Sequence, residues 1–303
     1  MSIIKALTFN AKNKVMKQRN TTHKNKYDIL NELQADIYNE CLTHVNEFIE
    51  QNISTGIDFI SLQEVSDISS LNFISKLDQH IHIIYDTYGN KGNKFLITCY
   101  NKKYIIDESA NVVRGYLSDE NSPFNILFFE QGICLIHLYA ANSHKIIHFD
   151  KYLRNTIERN YEQDQNKILQ KLKSYDIIMM GDFSNDLRES PFVILLDDFF
   201  GTYGGRVLNG VADISICYGD DYIGEKGNIK PPTDHILSTF KVESAVISPA
   251  FSPALTVSNH LPVIAQIYAQ KKIGYDFNGV INVDVDILPD DKYGEKYRTH
   301  DGP

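Results

Sequence analysis

The chain has 303 residues, 43% hydrophobic and 23% charged, the proportions of a packed globular protein rather than a disordered or fibrous one. Thirty Lys and Arg against 39 Asp and Glu leave a formal net charge of −9, which argues against general coating of nucleic acid or anionic membrane unless basic residues are concentrated locally. The four cysteines, Cys41, Cys99, Cys134 and Cys217, form no CxxC pair, so reduced thiols in a cytoplasmic protein are expected rather than a zinc site or a disulfide framework.

The opening MSIIKALTFN is too short in apolar residues for a signal-peptide core, and no later run approaches the ~20 residues needed to cross a bilayer. No transmembrane segment is expected. Nearly continuous β-branched and aromatic runs predict strands at Ile3–Phe9, Asp58–Leu62, Phe95–Tyr100, Phe124–Phe129, Ile133–Ala140, Ile177–Met180, Lys241–Ile247 and Val263–Tyr268. Between the first two, Ile29, Leu30, Leu33, Ile37, Val45, Phe48 and Ile49 recur at helical spacing, as do Leu153, Ile157, Tyr161, Ile168 and Leu172 further on. Ser190 before Pro191 reads as a helix start ahead of Phe192–Leu196. Runs of strands separated by occasional helices predict an α+β layered sandwich. Composition shifts near Lys271, so the main domain is placed at 1–270 and a C-terminal extension at 271–303, in which Tyr275–Val280 reads as an ordinary Asn-Gly turn.

Polar residues stand where several of these strands end: Asn10 in LTFN, Glu64 in LQEV, Asp182 in MMGDFSND and His260 in SNHLPV. Singly, each reads as a turn residue, a solvated charge or a satisfied core histidine. Jointly, each adjoins a buried-type strand, so all four can meet at one edge of the sandwich, where a rigid sheet positions side chains.

The order TFN, LQEV, IHL, a GDFxN-like run, TDHIL and SxHLPV, from Thr8 to Val263, resembles the endonuclease/exonuclease/phosphatase superfamily. The resemblance implies a four-layered α/β sandwich, two packed, mostly antiparallel sheets flanked by helices, with a site that binds Mg²⁺ or Mn²⁺ and hydrolyses a phosphoester. Matched motif by motif, it places Asn10 and Glu64 at the metal and His137 near the leaving-group oxygen, where a protonated imidazole would assist departure. Asp182 falls on the attacking water, and Asp234 on the imidazole of His260. Two positions depart from the pattern. Ser184 stands where the resemblance expects an asparagine that holds the nucleophile and phosphoryl oxygens, so its hydroxyl or the following Asn185 is the candidate substrate contact, and Asn259 replaces a carboxylate of the metal shell, which weakens attraction for a hard cation.

After Asn10, Lys12, Lys14, Lys17, Arg19, Lys24 and Lys26 follow without an acidic residue, either a solvated loop or a patch that steers a polyanion. Arg206, in the glycine-rich GTYGGRV, is a further candidate phosphate contact. The leading expectation is a metal-dependent phosphodiesterase of nucleic acid or nucleotides. An inositol-phosphate or lipid phosphoesterase of the same fold is one alternative, and a catalytically silent binding relative is the other.

Overall fold

The strands alternate their side chains between two buried faces, and this pattern defines the layers. The computed structural model describes residues 3–10, 56–65, 81–89, 92, 94–109, 112–142, 146, 148–185, 187, 192–195, 205–212, 233–245, 260, 263–272, 275–276 and 280–281. The first half of the chain supplies β1 (Ile3–Asn10), β2 (Phe59–Val65), β3 (Ile81–Tyr88), β4 (Lys94–Asn101), β5 (Val113–Tyr116), β6 (Pro123–Phe129) and β7 (Ile133–Tyr139). Helices α1 (Phe149–Asn160) and α2 (Gln165–Ser174) lead to β8 (Asp176–Asp182). The rest comprises β9 (Phe192–Leu195), β10 (Gly205–Ala212), β11 (Asp234–Ser238), β12 (Phe240–Ala245), β13 (Val263–Lys272), β14 (Tyr275–Asp276) and β15 (Val280–Ile281).

One sheet has six strands in the order β12-β13-β1-β2-β4-β3. The other has nine, in the order β15-β14-β10-β11-β8-β7-β6-β5 with β9 beside β10. Pairing is antiparallel except for β1 with β2 and β7 with β8, giving the two-sheet α/β sandwich expected. On β7, Cys134, Ile136 and Leu138 face α1 and α2 and pack with Phe149, Leu153, Ile157, Ile168 and Leu172. Ile133 and Leu135 face the other sheet and pack with Ile4, Ala6, Phe59 and Ile267. The helix expected over Ile29–Ile49 lies outside the described residues.

Two helical expectations are corrected. The single helix over Leu153–Leu172 is two, because the chain leaves helical geometry at Tyr161. The Tyr161 hydroxyl instead accepts the Arg114 N–H at 2.9 Å and donates to the Val112 carbonyl at 3.2 Å, tying the junction to β5. The helix expected over Phe192–Leu196 is a strand where it is described: Phe192–Leu195 is β9, antiparallel to β10, where aromatic and β-branched residues suit a pleated surface. Strands β14 and β15, from the region assigned to the extension, pair with each other, and β14 pairs with β10. No helix among the described residues is long and apolar enough to cross a membrane.

Candidate active site

Along the face between the sheets the side chains change character toward one end. Phe59, Leu135, Ile178 and Met180 give way to Thr8, Gln63, Thr98, Asn125 and His137, and then to Asn10, Glu64, Asp182 and Asp234, all buried. Two parallel pairs create this end: β1 and β2 finish together, as do β7 and β8, so both sheets deliver strand C-termini to one place.

Glu64 is presented by a bulge. Leu62 lies opposite Ile97 and Val65 opposite Phe95, so Gln63 and Glu64 share one partner position, and Glu64 takes φ +52°. A glutamate rarely adopts this left-handed backbone, and such outliers persist where the surroundings hold them. Here the Glu64 N–H donates to the Tyr88 hydroxyl at 2.9 Å. Asp182 is delivered by a second close approach. Gly181 has φ +148°, and a Cβ there would meet the Leu138 carbonyl oxygen at 1.9 Å, so β8 can pass β7 only with glycine.

Asn10 joins the two carboxylates: its Nδ2 donates to Asp182 Oδ2 at 2.8 Å and reaches Glu64 Oε2 at 3.4 Å. The other Asp182 oxygen accepts the Ser184 N–H at 2.8 Å, and Asp234 is its cross-strand neighbour. His260 Nδ1 lies 2.5 Å from Asp234 Oδ2, which assigns a proton to Nδ1. Burial, then the nearby Asp234 charge, pushes the Asp182 carboxyl up to about 7, against the opposing pull of His260, the Ser184 N–H and Asn10. Ligand atoms of Asp182, Asp234 and His260 lie within 4.8 Å of one another, and Asp234 Oδ1 is buried without a hydrogen-bond partner. Buried carboxylate oxygens, one of them orphaned, fit a hard divalent cation such as Mg²⁺ or Mn²⁺.

The other expected residues are placed differently. His137 is enclosed, not exposed to a ligand: Nδ1 meets the Thr98 hydroxyl at 2.8 Å and Nε2 meets the Gln63 amide nitrogen at 2.7 Å. Burial pushes its pKa down to about 3, so a protonated imidazole at the leaving group is corrected to a neutral ring beneath the site. Ser184, at φ +50°, turns its hydroxyl back to the Ala140 carbonyl at 2.5 Å, and the Asn185 carbonyl accepts from His235 Nε2 at 2.7 Å. Arg206 lies in β10, not in a loop. It is six residues from Ala212, the partner of His235, and therefore about 20 Å along the strand from the site end. Asn259 and the basic segment from Lys12 to Lys26 lie outside the described residues.

Three site residues carry no motif. Lys94 pairs with Glu64 Oε1, Tyr88 holds the bulge, and Tyr139 hydrogen-bonds Glu64, with its phenol pushed well above the usual range by burial and by the charges of Glu64 and Asp182. Tyr139 had a signal: it stands two residues after His137, on the same strand face.

No protein-family profile matches the chain. It is 36% identical over 252 residues to protein L684 of Acanthamoeba polyphaga mimivirus, covering 82% of this chain and 47% of that protein, so the chain spans about half the length of this curated relative. Among solved structures, ANGEL2, a 2′,3′-cyclic phosphatase, superposes with TM-score 0.53 at 13% identity, over 87% of this chain and 94% of that one. TDP2 from C. elegans gives 0.51 at 16% identity, over 88% and 75%. An endonuclease/exonuclease/phosphatase protein from Bacteroides vulgatus gives 0.50 at 14% identity, over 88% and 99%. The chain has the endonuclease/exonuclease/phosphatase fold. Within that fold, the motifs that carried the sequence resemblance are the ones found at the shared strand end: Asn10 and Glu64 from the six-stranded sheet, Asp182 and Asp234 from the nine-stranded one, with His260 on Asp234.

Proposed function

We propose that the chain is a divalent-cation-dependent phosphodiesterase acting on nucleic acid or nucleotides. The observation that carries this reading is the convergence of Asn10, Glu64, Asp182, Asp234 and His260 from the strand ends of both sheets. ANGEL2, a 2′,3′-cyclic phosphatase of the same fold, supports phosphoester chemistry.

Glu64 and the side-chain carbonyl of Asn10, with the Asp182 carboxylate and the orphaned Asp234 Oδ1 beside them and Asn259 as a further candidate, would hold Mg²⁺ or Mn²⁺. When bound, the cation supplies Lewis-acid polarisation of a phosphoryl oxygen. Asp182, whose carboxyl sits near neutrality, orients a water and accepts its proton. Asp234 fixes the His260 ring so that Nε2 faces the reacting phosphate. Tyr139 keeps its phenolic proton and donates it as a hydrogen bond in the same opening.

The test is a side-by-side assay of plasmid DNA, RNA, a 2′,3′-cyclic nucleotide and phosphoinositides with Mg²⁺, with Mn²⁺ and in excess EDTA. Cation-dependent hydrolysis of a nucleic acid or nucleotide, abolished by Glu64→Gln without unfolding, is the expected result. Undiminished turnover in EDTA overturns the cation requirement. The Ser184 hydroxyl, turned away to Ala140, favours a second reading, a silent binding relative. Absence of turnover across the panel selects it.

A further inference from the structure

Two lysines among the described residues are held in contrasting ways. Lys171 is the fixed kind: its side chain is 12% exposed, bonded to Asp107 and to Ser109 Oγ at 2.9 Å, and laid over the rings of Phe128 and Tyr175. Lys94 is not. It opens β4 opposite Tyr88, its side chain is 40% exposed against 4% for Glu64, and Glu64 Oε1 is its hydrogen-bond partner. The ammonium sits 5.9 Å from the centroid of the Tyr139 ring, at the rim of the candidate active site. An ammonium has three donors, so two remain for a ligand once Glu64 has one.

The charge of the opening gives those donors a use. Glu64, Asp182 and Asp234 bring three carboxylates to one place, a field that repels an approaching phosphate. A cation rooted on a strand, with a side chain 40% exposed and already beside Glu64, relieves that repulsion. We propose that Lys94 is a phosphate-binding residue of this site, its ammonium exchanging the Glu64 oxygen for a phosphoryl oxygen of the ligand. The proposal rests on the phosphoesterase reading and adds to it the residue that receives the phosphate.

The experiment measures binding without hydrolysis. The full chain, in Ca²⁺ buffer, is titrated with inorganic phosphate and with a fluorescent phosphorothioate oligonucleotide over a series of salt concentrations. Lys94→Met should weaken binding roughly tenfold and lower the oligonucleotide's log–log salt slope by about 1, and Lys94→Arg should retain both. Loss on both ligands assigns Lys94 to any phosphoryl group, and loss on the oligonucleotide alone assigns it to a diester. Either supports the proposal. Unchanged affinity and slope in Lys94→Met overturn it, as does failure of the unmodified chain to bind either ligand. A change confined to Mg²⁺ affinity, read by calorimetry, also overturns it and makes Lys94 a counter-ion of Glu64. Hydrolysis by the unmodified chain is scored separately: Lys94-dependent binding without turnover refutes the enzymatic reading and leaves the phosphate site standing.

Discussion

Asn10 and Asp182 are 172 residues apart in the chain, yet the Asn10 amide donates to Asp182 Oδ2 at 2.8 Å across the gap between the sheets. The same nitrogen reaches Glu64 at 3.4 Å, so one neutral donor spaces two carboxylates. Asn10→Ala removes it and leaves Asp182 with one fewer group favouring its charged form. A hydrogen bond to a charged group is worth roughly 1.5–3 kcal/mol, so turnover should fall about 10- to 100-fold. Steady-state kinetics at saturating Mg²⁺ check this, and an unchanged rate would make Asn10 a spectator.

Asp182 sets the pH dependence of the cation-free protein. Its folded pKa of about 7 lies above its ordinary value of 3.8, so between those values the folded state holds a proton that the unfolded chain has released. Stability contributed by this group is therefore lost as pH rises from about 4 to 7. Thermal melts in chelator should show the protein less stable at the upper end of that window, and Asp182→Asn should flatten the slope. A slope identical in the variant assigns the dependence to other groups.

His137 works in the opposite sense. Burial holds its folded pKa near 3, below the ordinary 6.5, so its contribution to stability is present above 6.5 and is lost as pH falls toward 3. The ring should stay neutral, carrying its proton on Nδ1 toward Thr98, while Nε2 accepts from Gln63. Imidazole nitrogen shifts across a pH titration read this directly. An imidazolium at pH 6 contradicts it.

Gly181→Ala tests the passage of β8 past β7. A methyl group at 1.9 Å from a backbone carbonyl cannot be relieved by a rotamer change, and φ +148° penalises any side chain. The expected loss is ~3 kcal/mol or more, read by urea denaturation. Gly132→Ala is the control. That glycine also has positive φ, but its Cβ would meet nothing within 4 Å, so the smaller loss there measures backbone conformation alone.

Asp182→Asn and His260→Ala should each cost roughly the 10²–10⁴-fold typical of a positioned proton-transfer group. If both act on one water, the double variant should be little worse than the singles. Full additivity in log rate places them in separate steps.

The parts of the site legible in the sequence share one property: Asn10, Glu64 and Asp182 close runs of buried strand, so the local pattern already marks a rigid support with a polar tip. His260 stood out by its neighbours in SNHLPV. Lys94 did not, because its place depends on β4 lying beside β2, a long-range pairing that no local pattern encodes. The Glu64 bulge was hidden for the same reason, since a bulge exists only relative to a partner strand. Phe192–Leu195 was misread because a short apolar run suits a helix turn or a strand equally well, and pairing with β10 decided it. His137 was recognised by motif but given the wrong charge, because the sequence does not show that Gln63 and Thr98 close over both ring nitrogens.

The order of strands in the smaller sheet bears on how the protein is made. β13 lies between β12 and β1, and β1 lies between β13 and β2. Strand β1 therefore waits for residues 263–272 before it has a neighbour on both sides, and until then its hydrogen-bonding edge is open. Asn10 is carried on that strand, and His260 stands just before the late one. A nascent chain halted before residue 260 lacks His260 as well as the strand that pairs with β1, so activity should emerge late. A shortfall of chaperone capacity would be felt first at β1.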